Sequence, residues 1–82
     1  MNTPTETTPD SLLDATGLYC PMPIIMISKE IKKLEAGQVI AIQADDEGIE
    51  ADLPAWCKTT GNELLGITRD GAVFTGLVRK SA

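Results

Sequence analysis

The chain has 82 residues, a hydrophobic fraction of 43% and a formal net charge of −5 at pH 7. This length allows one domain with a thin core, and the apolar content is sufficient for a globular fold. The acidic balance excludes a broad nucleic-acid surface, because phosphate binding depends on clustered lysine and arginine. No run approaches the roughly 18 apolar residues of a membrane-spanning helix, so we expect partners that are neither nucleic acid nor membrane.

The first ten residues are rich in threonine and proline and contain neither a basic residue nor an apolar run. This composition resembles neither a signal peptide nor a transit peptide, and it predicts a disordered tail over residues 1–10. No internal repeat or interdomain linker divides the remainder. We therefore expect residues 11–82 to form a single, monomeric domain.

After the tail, residues 12–15 predict a short strand, and a turn follows. From residue 21 to about residue 36, apolar side chains recur at the spacing of one helical face, at Ile24, Ile27, Ile31 and Leu34. The helix could begin at Pro21 or at Pro23, since the residue before a proline avoids the α region. Gly37 is expected to end it.

The middle of the chain predicts a buried strand followed by a second helix. Residues 39–44 are β-branched or apolar almost throughout, which is typical of an internal strand. The second helix falls within residues 49–60, although Pro54 would disrupt a helix interior. On that argument the regular helix begins only near Leu53, with Asp52 as its cap.

The last two strands are predicted at residues 63–68 and 72–79, on either side of Arg69-Asp70-Gly71. Asp-Gly between two apolar runs is a strong hairpin signal. The resulting order is β-α-β-α-β-β. It predicts an α+β fold, a two-layer α/β sandwich in which both helices cover one face of a four-stranded mixed sheet.

The sequence contains no histidine and two cysteines, Cys20 and Cys57. Hydrolases that use a Cys–His pair are therefore excluded, and two distant thiols fit no familiar zinc-ligand spacing. We predict no metal site and infer no cofactor. Two cysteines also fall short of the dense framework of small oxidised proteins, which favours free thiols in a reducing, cytoplasmic compartment.

Cys20-Pro21-Met22-Pro23 stands where the turn becomes the first helix, so the aligned peptide dipoles should favour a thiolate on Cys20. Neither proline has an N–H group, which leaves the N–H groups of Cys20 and Met22 to face the sulfur. We expect a modest lowering of the Cys20 pKa. Such a thiolate can attack a disulfide or a persulfide, and the lack of a neighbouring cysteine favours single-thiol transfer.

Residues 14–23, with the sequence Asp-Ala-Thr-Gly-Leu-Tyr-Cys-Pro-Met-Pro, resemble the signature of the TusA-like (SirA-like) sulfur-carrier family. Its members carry Cys-Pro-x-Pro at the start of their first helix. The likeness continues at Gly37 and at residues 44–46, 53–57, 61–64 and 78–80. It covers almost everything after the tail, and it implies the two-layer sandwich predicted above.

The resemblance implies that Cys20 is the catalytic residue of a sulfurtransferase, a persulfide-carrying relay between proteins. The donor would be a cysteine desulfurase or a rhodanese-type protein, and the acceptor a protein such as a DsrE-like or TusD-like one. The destination is left open among tRNA 2-thiolation, the molybdenum cofactor and oxidative sulfur metabolism. A non-catalytic binding module, or a thiol that only senses oxidants, is the alternative. A nucleic-acid-binding domain of similar shape is opposed by the net charge.

Further positions are candidates for supporting roles. Met22, Met26, Lys29 and Lys33 follow one stripe of the first helix away from its apolar face, and we predict that this stripe docks the donor. A solvated charged face is the alternative for the lysines. Cys57 lies beside Trp56 on the predicted inner face of the second helix, where packing explains it better than a second-thiol relay does.

An acidic run occupies the connection to the second helix, at Asp45, Asp46, Glu47, Glu50 and Asp52. Carboxylates at this point ordinarily cap a helix or interact with its dipole, so we interpret them in that way and infer no metal. The resemblance implies that the Asp45 region lies near the active thiol, which makes Asp45 a candidate interface residue.

Overall fold

The computed structural model describes residues 9–19 and 21–81. Residues 1–8 of the predicted tail and Cys20 lie outside the described residues. The elements are β1 (Ser11–Asp14), α1 (Met22–Glu30), a 3₁₀ helix (Ile31–Lys33), β2 (Val39–Ala44), α2 (Ile49–Thr60), β3 (Glu63–Asp70) and β4 (Val73–Arg79). The predicted order of strands and helices is confirmed. Neither α1 nor α2 has the length and apolarity to cross a membrane.

The four strands form one sheet in the order β1-β2-β4-β3. β1 runs parallel to β2, whereas β4 runs antiparallel to both of its neighbours, so the sheet is mixed as predicted. The inner faces of α1 and α2 pack with one face of this sheet into a single core. Its fully buried large side chains are Ile27, Ile40, Ile42, Leu53, Phe74 and Val78. The predicted α+β sandwich is therefore confirmed.

α1 is shorter than predicted and begins between the two expected starts. Pro21 takes the cap position, with φ −96° and ψ 14°, and the helix begins at Met22. After the 3₁₀ helix the chain is already extended at Leu34, with φ −94° and ψ 158°. Gly37 has φ +91°, and its N–H group donates to the Lys80 carbonyl at 2.7 Å. Gly37 thus turns the chain toward the sheet four residues after the end of the helical segment at Lys33.

α2 begins at Ile49, so the prediction of a regular helix starting near Leu53 is wrong. The Asp52 N–H group donates to the Gly48 carbonyl at 2.9 Å, which places Asp52 inside the first turn rather than at the cap. Ile49 and Leu53 are 4% and 0% exposed, one helical turn apart. Burying both on the sheet fixes this first turn and outweighs the hydrogen bond that Pro54 cannot donate.

The hairpin between β3 and β4 is tighter than predicted. β3 continues to Asp70, which pairs with Val73. Only Gly71 and Ala72 remain in the turn, and Gly71 has φ +63°, the left-handed conformation that glycine adopts without strain. β1 also begins one residue earlier than expected, at Ser11.

Both ends of the described fold are held by the segment that leads into β2. The Asp10 N–H group donates to the Val39 carbonyl at 2.7 Å, and the Asp10 carboxylate accepts from the Val39 N–H group at 2.9 Å. Beside them, the Lys80 N–H group donates to the Gln38 carbonyl at 2.8 Å. Asp10, predicted to belong to the tail, is therefore bonded to the first residue of β2.

Candidate functional site

The loop that leads from β1 to Cys20 is fixed by short hydrogen bonds at its first turn. The Asp14 carboxylate accepts from the Thr16 hydroxyl at 2.6 Å and from the Thr16 N–H group at 3.0 Å. These two bonds lower the pKa of Asp14 below its ordinary value of 3.8. The stabilisation that these bonds give to the turn is present at neutral pH and is lost as the pH falls through that lowered pKa.

Asp45, predicted as an interface residue, supports this loop from the end of β2. Its carboxylate oxygen accepts from the Gly17 N–H group at 3.0 Å, across 28 positions of sequence. Gly17 has φ +83°, so the chain turns sharply at the point of attachment. Asp45 therefore ties the loop to the sheet, whether or not it also contacts a partner.

Replacing Asp45 separates these two roles. Asp45→Asn keeps a side-chain oxygen that can accept from Gly17 but removes the charge, whereas Asp45→Ala removes both. If positioning dominates, we expect Asp45→Ala to slow several-fold the sulfur loading that the family resemblance implies, and Asp45→Asn to stay near wild type. Intact-mass spectrometry of samples quenched at successive times measures both loading rates. Equal slowing in the two variants would assign Asp45 to charge recognition instead.

The prolines of the motif shape the start of α1. Pro21 caps the helix, and Pro23 is buried within its first turn. The Met22 N–H group donates to the Tyr19 carbonyl at 2.8 Å. This N–H group, which was predicted to face the sulfur, is therefore used by the tight turn before the helix. Cys20 itself lies outside the described residues.

Exposed apolar side chains border Cys20 in sequence and continue along α1. Tyr19 is 78% exposed, Met22 45% and Ile25 40%, and Lys29 is exposed one turn further on. We call Tyr19, Met22, Ile25 and Lys29 the docking face. In the described part of the chain, only Leu12 joins the first three as an exposed large hydrophobic residue.

This face differs in part from the predicted stripe. Met26 is only partly exposed and packs against the core, so the prediction that it points away from the core is wrong. Lys33 is exposed but pairs with Glu30 at 3.3 Å. Ile25 was missed because it adjoins the apolar stripe at Ile24. Its spacing of three from Met22 and four from Lys29 is the signal that could have revealed it.

Comparisons with known proteins bear on this arrangement. The family model described as "Sulfurtransferase TusA" matches residues 11–80. The sulfur carrier protein TusA of Pseudomonas putida is 40% identical over 78 residues, which cover 95% of this chain and 98% of the relative. The chain belongs to the TusA family.

Other relatives extend the comparison. A putative sulfur carrier protein of Bacillus subtilis, YrkF, is 49% identical over 69 residues, or 84% of this chain. The match covers only 37% of YrkF, so the shared part is a minority of that longer protein. A crystal structure of a SirA-like protein from Desulfitobacterium hafniense has a TM-score of 0.76 and 24% identity over 88% of this chain and 99% of the other. This structural likeness shows that the two chains share a fold.

Within this TusA-family fold, Cys57 lies on the inner face of α2. It is 3% exposed and belongs to the same core cluster as Leu53. Burial raises the pKa of the Cys57 thiol to about 11. The thiolate is therefore scarce at neutral pH, and packing accounts for this cysteine without a second-thiol role.

Thiol labelling tests this burial. In a Cys20→Ser protein, alkylation of Cys57 by iodoacetamide should be slow at neutral pH and should accelerate as the pH rises toward about 11. The same protein unfolded in urea should react with the pH dependence of an ordinary thiol. Rapid labelling of the folded protein at neutral pH would show that Cys57 is accessible and ionised. That result would support the alternative in which Cys57 acts as a second thiol in the relay.

The acidic run stands at the start of α2, where Gly48 rather than a carboxylate takes the cap position, so the predicted capping role is not seen there. Glu50 and Asp52 occupy the first turn of α2, and the Asp46 carboxylate accepts from the Gly48 N–H group at 3.2 Å. Across residues 9–19 and 21–81, no three histidine, cysteine or acidic side chains are grouped so that they could hold a metal ion. The contacts of Asp46 and the position of Glu50 fit dipole and turn stabilisation.

Proposed function

We propose that this chain is a cytoplasmic sulfur carrier that holds sulfane sulfur as a persulfide on Cys20 and passes it between proteins. The observation that carries the proposal is the match to the TusA family over residues 11–80, which includes Cys20-Pro21-Met22-Pro23. The described start of α1 supports it, since Pro21 caps the helix immediately after Cys20. A thiol next to a helix amino terminus is favoured as a thiolate.

The transfer is an exchange at sulfur without net oxidation. The Cys20 thiolate attacks the terminal sulfur of a donor persulfide, so that a new S–S bond forms on Cys20 while the donor's S–S bond breaks. The donor leaves as a thiolate. A thiolate of the acceptor then attacks the outer sulfur of Cys20 in the same way. Each half of the cycle uses one thiol on this chain, which agrees with the burial of Cys57.

The docking face explains how one surface could serve both steps. Tyr19, Met22 and Ile25 offer exposed apolar contacts beside the motif, and Lys29 offers a charge for a partner's carboxylate. Donor and acceptor must each bring a sulfur to the same residue. They therefore bind this face in turn, the donor being a cysteine desulfurase or rhodanese-type protein and the acceptor a DsrE-like or TusD-like one.

Intact-mass spectrometry tests the proposal. The protein is incubated with a cysteine desulfurase and cysteine, or with a rhodanese and thiosulfate, and is then mixed with a DsrE-like acceptor. We expect a gain of one sulfur, about 32 Da, which reductant removes and which the acceptor takes over. Failure to gain sulfur from either donor would favour the non-catalytic binding or regulatory module.

A further inference from the structure

A cleft lies at the other end of the helix layer from the motif. It has a volume of about 250 Å³ and is formed where the carboxyl-terminal parts of α1 and α2 meet the beginning of β3 and the residues after β4. Its lining includes Ile31, Lys32, Trp56, Thr60, Asn62 and Lys80. Lys29 of the docking face lies three positions before Lys32, so the two sites are neighbours on this helix, but no residue of the docking face lines the cleft.

The charge of this cleft is opposite to that of the whole protein. The chain carries a net charge of −5, yet the lining contains two lysines and no acidic side chain. Lys80 is held in place because its ammonium group donates to the Leu34 carbonyl at 2.6 Å. Lys32 is exposed, and it forms no ion pair or hydrogen bond with the described residues. The cleft therefore attracts an anionic group.

Hydrogen bonds link the polar residues at one side of the cleft, while the indole N–H group of Trp56 is left without a partner in the described part of the chain. The Asn62 amide donates to the Thr60 hydroxyl at 2.9 Å, and that hydroxyl donates to the Trp56 carbonyl at 2.8 Å. The indole N–H group of Trp56 makes no hydrogen bond within the described part of the chain and is not shut off from solvent. A half-buried tryptophan with a free N–H group is a typical anchor for a partner side chain.

We propose that this cleft docks an acidic segment of a partner protein, whose carboxylate pairs with Lys32 and Lys80 while a neighbouring apolar side chain packs on Trp56 and Ile31. The volume of about 250 Å³ is below the roughly 300–1,000 Å³ of sites that enclose a small molecule, and the cleft is open on one side. It suits one or two inserted side chains. The site is independent of sulfur chemistry and adds a second contact point to the carrier.

Trp56 is the only tryptophan in the chain, so its fluorescence and its single indole N–H resonance report on this cleft directly. The probe is a peptide of alternating glutamate and leucine, blocked at both ends, with a matched glutamine–leucine peptide as its control. We expect the glutamate peptide to shift both signals saturably. The glutamine peptide should bind at least about fivefold more weakly. Equal responses to the two peptides would overturn the assignment of an acidic partner.

Charge reversal supplies the second test. Lys32→Glu should weaken the glutamate peptide at least about fivefold, whereas Lys58→Glu should leave its affinity unchanged. Lys58 is exposed in the last turn of α2 and does not line the cleft. Both variants replace a lysine with glutamate, so they have the same net charge. Equal weakening in the two variants would show that overall charge, and not the cleft, determines binding of the peptide.

Inorganic phosphate at matched ionic strength should not reproduce the peptide's shift, and if it did, the cleft would be a simple anion site. No sulfur is transferred in these assays, so their outcome is distinct from that of the carrier proposal.

Discussion

Cys20→Ser should abolish sulfur loading of the protein. Transfer of sulfur to the acceptor should fall to the level of a reaction without this protein. A serine hydroxyl is not ionised at neutral pH and cannot hold sulfane sulfur, so neither half of the exchange can proceed. The mass gain of about 32 Da should therefore be absent from the variant with either donor. The measurement is intact-mass spectrometry at equal protein concentrations, with circular dichroism to verify that the variant is folded.

The matched control is removal of the other thiol. Cys57→Ala should load as wild type does, because Cys57 is buried and its pKa is raised to about 11. Alanine is chosen because a serine hydroxyl would be placed in an apolar core without a partner. Loss of loading in Cys57→Ala with the fold intact, or persistence of loading in Cys20→Ser, would contradict the single-thiol mechanism.

Gly76→Ala should destabilise the fold by about 1–3 kcal/mol, a large share of the stability of so small a domain. Gly76 is buried in β4 beneath α2. A methyl group there would overlap the Leu53 side chain and would lie 3.5 Å from a methyl carbon of Ile42. Because Leu53 is fully buried, its side chain can move away only by displacing other side chains of a close-packed core. Urea unfolding followed by circular dichroism measures the loss.

Gly66→Ala is the matched control for this prediction. Gly66 is also a strand glycine without a positive φ, but nothing lies within 4 Å of the position its methyl group would take. We expect a change within about 0.5 kcal/mol, of either sign. If Gly76→Ala were as stable as Gly66→Ala, α2 would have to sit further from the sheet than the fold described above allows.

The sequence predicted the fold because its periodic signals agreed with one another. Ile27 and Ile31 lie on the buried face of α1 and its 3₁₀ extension, and the apolar run of β2 occupies the centre of the sheet. The predicted start of α2 was wrong because the disruption of a helix by a proline such as Pro54 was judged from local sequence alone. The burial of Ile49 against the sheet is a tertiary effect, which propensity does not contain.

The site was predictable where its chemistry follows directly from residue order. Cys20-Pro21-Met22-Pro23 identified the start of α1 without any knowledge of the sheet. The hydrogen bond from Gly17 to Asp45 joins positions 28 apart, so only the packing of β1 beside β2 reveals it. Met26 was predicted to lie on the surface because sequence spacing gives the side of the helix on which a residue lies, but not which other residues pack against that side. In the fold, Met26 packs against the core.

The hydrogen bonds of Asp10 and Lys80 to the segment before β2 have a consequence for how this fold can be combined with others. The chain enters and leaves the sheet side by side, at the end of β1 opposite the loop that carries the motif. A polypeptide joined at either point would extend away from the docking face. Such a fold can be built into longer proteins as a module; the matched region makes up 37% of the length of YrkF.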